Sequence, residues 1–119
     1  GSAITKYLAQ LDCYVTGIDM HPESIKFAND HFSSPRCKFM VGDENSLSDQ
    51  EEKFDIIVFS DVLEHIEDPC QLLSSAAMLL RKNGRIFTNI ERIVSCRSKV
   101  RSWRSVKRID RIYPHLRPC

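Results

Sequence analysis

Apolar residues recur along the first half of the chain with two alternating spacings, which predicts helices alternating with strands. Residues 3–11 place Ile4, Leu8 and Leu11 on one face of a helix. Residues 13–18 (C-Y-V-T-G-I) are rich in β-branched and aromatic side chains and predict a strand. A second helix begins at Pro22, a residue suited to the first helical position. Residues 37–41 (C-K-F-M-V) predict the next strand.

The same alternation continues to residue 90. Residues 54–59 (F-D-I-I-V-F) carry an unbroken apolar run, which favours a strand covered on both faces. A helix over 69–80 is indicated by Asp68 as N-cap, Pro69 in the first turn and Asn83-Gly84 beyond its end. Residues 85–90 (R-I-F-T-N-I) predict a fourth strand. Strands separated by single helices indicate a parallel α/β sheet with right-handed crossovers.

Length and composition are those of a single domain. The chain has 119 residues, of which 42% are hydrophobic and 28% charged. No apolar run approaches the roughly 20 residues of a bilayer span, and we find no signal peptide, so we expect an intracellular protein, cytoplasmic or organellar. The five cysteines are widely spaced without a C-x-x-C pair, and we expect them to be reduced thiols.

The net charge of +1 conceals two segments of opposite sign. Residues 1–90 hold 8 basic and 14 acidic residues, a balance of −6, whereas residues 91–119 hold 9 basic and 2 acidic residues, a balance of +7. We therefore expect a core over 1–90 and a basic tail over 91–119. Such asymmetry predicts an anionic partner, or pairing of the tail with the acidic body.

The basic tail carries five arginines that would form one stripe on an α-helix: Arg97, Arg101, Arg104, Arg108 and Arg111. The apolar residues Val100, Trp103, Val106 and Ile109 recur every third position and would wind around such a helix without forming a buried face. An isolated helix is disfavoured by repulsion along the stripe. We therefore expect an anion against it: the acidic body, an anionic membrane surface or lipid-linked substrate, or, less favoured, nucleic acid.

Acidic residues follow the predicted strands at the edge where open α/β sheets bind ligands. They are Asp19, Asp43-Glu44 and, after Ser60, Asp61. A carboxylate at the end of a strand typically accepts hydrogen bonds from the ribose of a nucleotide. For Asp19 the alternative is an N-cap of the helix that begins at Pro22, and the two interpretations are equally favoured.

Three segments together resemble one enzyme family. V-T-G-I-D-M-H-P-E-S-I-K-F-A (15–28), F-M-V-G-D (39–43) and F-D-I-I-V-F-S-D-V-L-E-H-I-E-D-P (54–69) are similar, in order and spacing, to class I S-adenosylmethionine-dependent methyltransferases. The E-H-x-x-D-P sequence is similar to that of the branch with quinone-biosynthesis O-methyltransferases. The resemblance implies a Rossmann-like parallel sheet with flanking helices, lacking the family's first strand and its C-terminal strands, so that the chain would be truncated at both ends.

The resemblance also implies a set of residues that bind S-adenosylmethionine. Gly1 matches the last glycine of the family's G-x-G-x-G loop, Asp19 the carboxylate that holds the ribose, and Met20 the apolar residue against adenine. Asp43 matches the acidic residue beside the adenine amino group, with Glu44 next to it. The backbone of Ser60 matches the position along the methionine part of the cofactor.

Asp61, Glu64 and His65 are the candidates for chemistry at the acceptor. On a helix their spacing places all three on one face, where they could bind a divalent cation such as magnesium, as some relatives imply. His65, with Glu64, could instead take a proton from an acceptor hydroxyl. The alternative is a capping box, in which Asp61 and Glu64 bind backbone amides.

We therefore expect methyl transfer from S-adenosylmethionine, mainly to oxygen of a small or lipid-linked acceptor. Tyr113 to Arg117 resembles a segment that lines the acceptor pocket in relatives, which makes His115 a candidate substrate residue. Two alternatives stay open. A dinucleotide-dependent oxidoreductase would also use Asp19, although residues 54–69 argue against it, and a non-catalytic binding module would use the arginine stripe as its contact surface.

Overall fold

The chain divides into two compact units, Gly1–Ser46 and Leu47–Cys119. The computed structural model describes residues 10–60, 62–89 and 92–108. Each unit contains its own parallel sheet, of two strands in the first and three in the second. Parallel strands with flanking helices confirm the predicted α/β class. The predicted helix over 3–11 lies almost wholly outside the described residues.

The first unit is a β-α-β arrangement whose elements match the sequence pattern. Strand β1 (Val15–Asp19) is followed by helix α1 (Pro22–Phe32) and by strand β2 (Cys37–Val41), which lies parallel to β1. Two residues of α1, Ile25 and Ala28, are buried. Their spacing of three places them on one helical face, as the amphipathic pattern requires.

The second unit contains a three-stranded sheet. Strand β3 (Phe54–Phe59), helix α2 (Pro69–Met78), strand β4 (Leu80–Thr88) and strand β5 (Val106–Arg108) follow one another, and the strand order is β3-β4-β5. The core between sheet and helix contains Phe59, Leu63, Leu72, Leu73, Ala76, Ile86, Cys96 and Val100. Asp68 caps α2 as predicted, because its side chain accepts a hydrogen bond from the Gln71 backbone N–H at 3.1 Å.

The end of α2 differs from the prediction. The helix ends at Met78, and β4 already begins at Leu80, so that Asn83 and Gly84 lie inside a strand instead of closing the helix. Asn83 has a φ of 67°, a left-handed conformation that Asn tolerates better than most residues. The pairing with β3 shifts at this point. The Asn-Gly pair therefore forms an irregularity of the strand.

The exposed surface of β3 also departs from expectation. An unbroken apolar run predicted a strand covered on both faces, but Ile56 is 55% exposed. Phe59, by contrast, is buried against α2 and β4. In the part of the chain that the structure describes, one face of β3 is therefore covered more completely than the other.

Within residues 92–108, the part of the basic tail that the structure describes, the α-helix on which the arginines would form one stripe is not present. Residues 92–96 and 103–105 form short 3₁₀ turns, and residues 106–108 form β5 beside β4. Val100 is 3% exposed, and Trp103 and Val106 pack against the same core. The Trp103 N–H donates to the Val100 carbonyl at 3.2 Å, and the Val106 N–H donates to the Trp103 carbonyl. Such bonds between residues three apart favour one common side for Val100, Trp103 and Val106, whereas on an α-helix these residues would wind around the axis.

Two of the five cysteines are not the reduced thiols that we expected. Cys70 in α2 and Cys96 in the turn after β4 form a disulfide, and they are 26 positions apart in sequence. Cys13 and Cys37 are not disulfide-bonded. The expected compartment alone predicts reduced thiols, but the fold brings Cys70 and Cys96 together, with Cα atoms 5.1 Å apart.

None of the helices within residues 10–60, 62–89 and 92–108 has the length and apolar character that a bilayer span requires.

Candidate functional site

The carboxyl ends of β1 and β2 bring two predicted acidic residues to the same edge of the first unit. Asp19 is the last residue of β1, and Asp43 follows β2 after Gly42. The Gly42 N–H donates a hydrogen bond to the Asp19 carbonyl at 3.0 Å, which ties the segment after β2 to the end of β1. The neighbourhood predicted from strand order alone is therefore present.

Asp19 is fixed through one oxygen of its carboxylate. Its Oδ1 accepts a hydrogen bond from the His21 backbone N–H at 2.8 Å. The N-cap of α1 is His21, not Asp19, so the capping alternative is wrong. Within the described residues Oδ2 of Asp19 has no hydrogen-bond partner, which leaves an acceptor of the kind that a ribose diol requires.

Asp43 is held by a tight turn. Its backbone N–H donates to Ser46 Oγ at 2.9 Å, and its Oδ1 accepts from the Asn45 N–H at 2.9 Å. A Cβ added to Gly42 would lie 2.5 Å from Ser46 Oγ, so this turn requires a residue without a side chain at position 42. Glu44 begins the exposed 3₁₀ helix Glu44–Asp49.

Met20 adds an apolar surface next to Asp19. Its side chain is 57% exposed although thioethers are usually buried. Carboxylate acceptors beside an exposed apolar side chain have the chemistry that a nucleoside needs, namely hydrogen-bond acceptors for hydroxyl and amino groups and a surface for a flat ring. The residues of the first unit therefore fit the adenosine part of S-adenosylmethionine.

The second unit presents two hydroxyl groups at the carboxyl ends of β3 and β4. Ser60 directly follows β3, and Thr88 ends β4, opposite Phe59. Ser60 Oγ and Thr88 Oγ1 are buried, and neither has a hydrogen-bond partner among the described residues. Buried hydroxyls without partners are unfavourable and need an explanation. Thr88 is not among the site residues predicted from the sequence, although a threonine among apolar residues at the end of a strand could have indicated it.

Glu64 and His65 lie on a short turn after β3. The turn is a 3₁₀ helix, Leu63–His65, anchored by Leu63, which is 2% exposed. Glu64 Oε1 and His65 Nε2 are 3.4 Å apart, and the His65 side chain is 76% exposed. The N-cap of this turn is Val62, so the capping box predicted with Asp61 as the cap is wrong.

The metal-binding arrangement predicted for this turn needs Asp61, which lies outside the described residues. Within them, no group of three or more His, Cys, Asp or Glu side chains is arranged to hold a metal ion. The helix that would have placed the three side chains on one face is replaced by the three-residue turn. Gly1 and His115, the candidates for cofactor and acceptor, also lie outside the described residues.

The basic segment, residues 92–108, carries no acidic residue and seven basic ones. Five of these side chains are exposed: Arg97, Lys99, Arg101, Arg104 and Lys107. None of the five forms an ion pair with another residue of the described ranges. The segment is thus a positively charged surface, although 3₁₀ turns and a strand present it. The side chain of Arg108 and all of Arg111 lie outside the described part.

A cavity of about 280 Å³ lies at the opposite ends of β1 and β2. Its lining includes Cys13, Ser34 and Cys37, which precede or begin the strands, whereas Asp19 and Asp43 follow them. The cavity therefore lies away from the edge that carries the acidic residues.

Comparison with known proteins identifies the family. A model of the methyltransferase domain matches residues 1–88. The chain belongs to the methyltransferase domain family. Three similar curated proteins, each named ubiquinone biosynthesis O-methyltransferase, come from Xylella fastidiosa (34% identity over 92 residues), Xanthomonas oryzae pv. oryzae (32% over 90) and Coxiella burnetii (29% over 89).

The similarity is confined to part of the relatives. The matched segments cover 73–75% of this chain but only 37–38% of those proteins. The chain therefore spans a little over a third of the length of each of these relatives. The family model ends at Thr88, before the basic segment begins.

Proposed function

We propose that this methyltransferase domain binds S-adenosylmethionine and belongs to an enzyme that transfers its methyl group to oxygen of a small-molecule acceptor. The observation that carries the proposal is the pair of carboxylates at the ends of the parallel strands β1 and β2, joined by the hydrogen bond from Gly42 to Asp19. Family membership supports the same reaction.

Both units carry residues that we propose for cofactor binding. In the first unit, Asp19 Oδ2 accepts hydrogen bonds from the ribose, Asp43 and Glu44 accept from the adenine amino group, and Met20 packs on the ring. In the second unit, the segment around Ser60 contacts the methionine part, and its buried Oγ, which lacks a described partner, supplies a polar group. Gly1 contributes a backbone amide.

The bound cofactor supplies a methyl group that its sulfonium has already activated. The protein's remaining task is to hold the acceptor in line and to remove a proton from its hydroxyl. His65 is exposed and can accept that proton at a ring nitrogen. Glu64, 3.4 Å from Nε2, then stabilises the imidazolium by charge. A magnesium ion held by Asp61, Glu64 and His65 stays a prediction.

For the acceptor we propose a small or lipid-linked molecule. One support is that the similar proteins are ubiquinone biosynthesis O-methyltransferases. The other is the basic segment, which could face an anionic membrane surface. His115 would contact the acceptor. An intracellular location, cytoplasmic or organellar, also stays a prediction.

The cofactor is tested by calorimetry on the 119-residue chain with S-adenosylmethionine and, separately, with NAD. Binding of the first only is the expected result. Binding of NAD only would support the oxidoreductase alternative and contradict the proposal. Binding of neither, together with adsorption to anionic vesicles, would support the non-catalytic binding module.

The role of His65 is tested with a catechol as the probe acceptor. If a side chain acts as general base, the rate of the unchanged protein should rise with pH, and we expect this rise to be absent in His65→Gln. His31→Gln, an exposed histidine on α1, is the matched control and keeps the pH profile. A pH profile that is the same in all three proteins would exclude His65 as the base.

The membrane contact is tested by sedimentation with vesicles at low salt. Vesicles containing phosphatidylserine should bind the protein, phosphatidylcholine vesicles should not, and Arg101→Ala/Arg104→Ala should reduce binding. Lys82→Ala removes an exposed charge outside the basic segment and should leave vesicle binding unchanged. Equal binding by all variants, or binding to RNA alone, would contradict a membrane surface as the partner.

A further inference from the structure

The disulfide between Cys70 and Cys96 connects the basic segment to the helix that follows the Glu64–His65 turn. Cys70 is the second residue of α2. Cys96 is the last residue of the 3₁₀ turn Arg92–Cys96, at the beginning of the exposed positive charges. The basic segment is therefore attached to α2 by a covalent bond whose state depends on the thiols around the protein.

The two cysteines differ in how completely they are buried. Cys96 is 0% exposed and belongs to the core, whereas Cys70 is only partly buried. A thiol that reduces a disulfide must reach the sulfur that it attacks. Of the two residues, Cys70 is therefore the one with surface left for an external thiolate to approach, because Cys96 has no exposed surface.

We propose that Cys70 is a reversible thiol-modification site whose reaction releases the basic segment from α2. An incoming thiolate attacks Cys70 Sγ, a new S–S bond forms there, and the Cys70–Cys96 bond breaks. Cys96 Sγ leaves with the electron pair and takes up a proton. If the reductant is a dithiol, its second thiol attacks its own sulfur in the mixed disulfide and frees Cys70. The dithiol is then oxidised and the protein disulfide reduced by two electrons.

Release should loosen the segment without unfolding the unit. The amides of Lys99 and Val100 both donate to the Cys96 carbonyl, at 2.9 and 3.0 Å, so their order depends on where Cys96 is held. Val100 is buried and β5 pairs with β4 in the disulfide-bonded protein, and we expect both to hold the rest of the segment in place after reduction. The inference that this release controls binding of an anionic partner rests on the proposed role of the basic segment. The modification site itself does not depend on that role.

The site is tested first in the unchanged protein with glutathione, a monothiol. The oxidised chain is treated, alkylated and digested with trypsin, which separates Cys70 (peptide 54–81) from Cys96 (peptide 93–97). We expect glutathione on the first peptide and the alkyl group on the second. Glutathione on Cys96, equal labelling of both, or the absence of a linked peptide pair before treatment would overturn the proposal. This measurement involves no cofactor, so its failure is distinct from failure of the proposed function.

Hydrogen exchange tests the release. In the reduced protein and in Cys70→Ser, amides 97–100 should exchange about tenfold faster than in the oxidised protein, while β4 stays protected. Adding reductant to Cys70→Ser should change nothing further. Cys37→Ser, which removes a thiol outside the disulfide, should respond to reductant like the unchanged protein. Equal exchange in the oxidised and reduced proteins would overturn the release.

Discussion

The backbone N–H of Gly42 donates a hydrogen bond to the carbonyl oxygen of Asp19, with a length of 3.0 Å. The bond lies where β1 ends and the chain leaves β2, and it keeps Asp43 in the neighbourhood of Asp19. Parallel strands place their carboxyl ends at a common edge, and this bond extends the pairing one residue past β2. The proposed nucleoside contact depends on that extension.

Gly42→Ala should disturb this edge. The new Cβ would meet Ser46 Oγ at 2.5 Å, and Ser46 Oγ is the group that accepts the hydrogen bond from the Asp43 amide. We expect a loss of about 1–3 kcal/mol in the free energy of unfolding, typical of overpacking, with weaker binding of S-adenosylmethionine. Denaturant titration and calorimetry measure the two effects.

A double-mutant cycle provides the control for this substitution. Ser46→Ala removes the oxygen atom that the new Cβ would meet, so the combined loss in Gly42→Ala/Ser46→Ala should be smaller than the sum of the single losses. Additive losses would show that the close approach to Ser46 is not the cause.

Val100→Ala should destabilise the second unit although the residue belongs to the basic tail. Val100 is 3% exposed in the core, and its truncation should lower the free energy of unfolding by about 2 kcal/mol. Val94→Ala is the matched control, because Val94 is 63% exposed and should change stability little. Thermal melts of both variants decide the point, and equal, small changes would contradict the packing of the tail.

Reduction should lower the stability of the oxidised protein. A bond that joins residues 26 apart removes conformational entropy from the unfolded chain and contributes on the order of 3 kcal/mol. Denaturant titration with and without dithiothreitol measures this difference. Cys70→Ser should show the lower stability in both conditions, and a reductant effect of the same size in that variant would contradict the assignment of the bond.

The ion pair between Lys26 and Asp30 on α1 predicts a small dependence of stability on pH. The side chains are 2.9 Å apart, and hydrogen bonding to Lys26, with its charge, holds the pKa of Asp30 below its ordinary value of 3.8. Because the folded pKa is the lower one, the stabilisation is present above the unfolded value and is lost as the pH falls through the folded value.

Thermal melts at low salt test the pair. Asp30→Asn should melt slightly below the unchanged protein at about pH 7, and the difference should vanish in acid below the folded pKa of Asp30 and at high salt, because both side chains are exposed. A difference that is the same at every pH and salt concentration would assign the effect to something other than the ion pair.

The spacing of apolar residues and the residues that begin helices were sufficient to predict the local helices and strands. β2 and β3 have the predicted bounds, and Pro22 and Asp68 begin α1 and α2 as expected, because these signals act over a few residues. Asn83 and Gly84 do not close α2 as predicted, because β4 begins at Leu80 and pairs with β3 on both sides of them.

The tail was the least predictable region, since its structure depends on residues distant in sequence. If the tail were an α-helix, its apolar residues, which recur every third position, would form no buried face. In the structure the tail contacts the core, forms short 3₁₀ turns and buries Val100 in the core. The fold also brings Cys96 to Cys70. At the site, Asp19 and Asp43 followed from strand order, whereas Thr88 required knowledge of which hydroxyls are buried.

Calorimetric titration with S-adenosylmethionine of the unchanged protein, Asp19→Asn and Asp30→Asn tests the central claim most directly. In Asp19→Asn the new side-chain amide can still accept the His21 N–H bond through its oxygen but lacks the charged acceptor, so this variant should bind about 10–100-fold more weakly. Asp30→Asn, which changes an exposed aspartate of the same unit, should bind as tightly as the unchanged protein. No binding by the unchanged protein, or equal affinity in all three, would contradict the account.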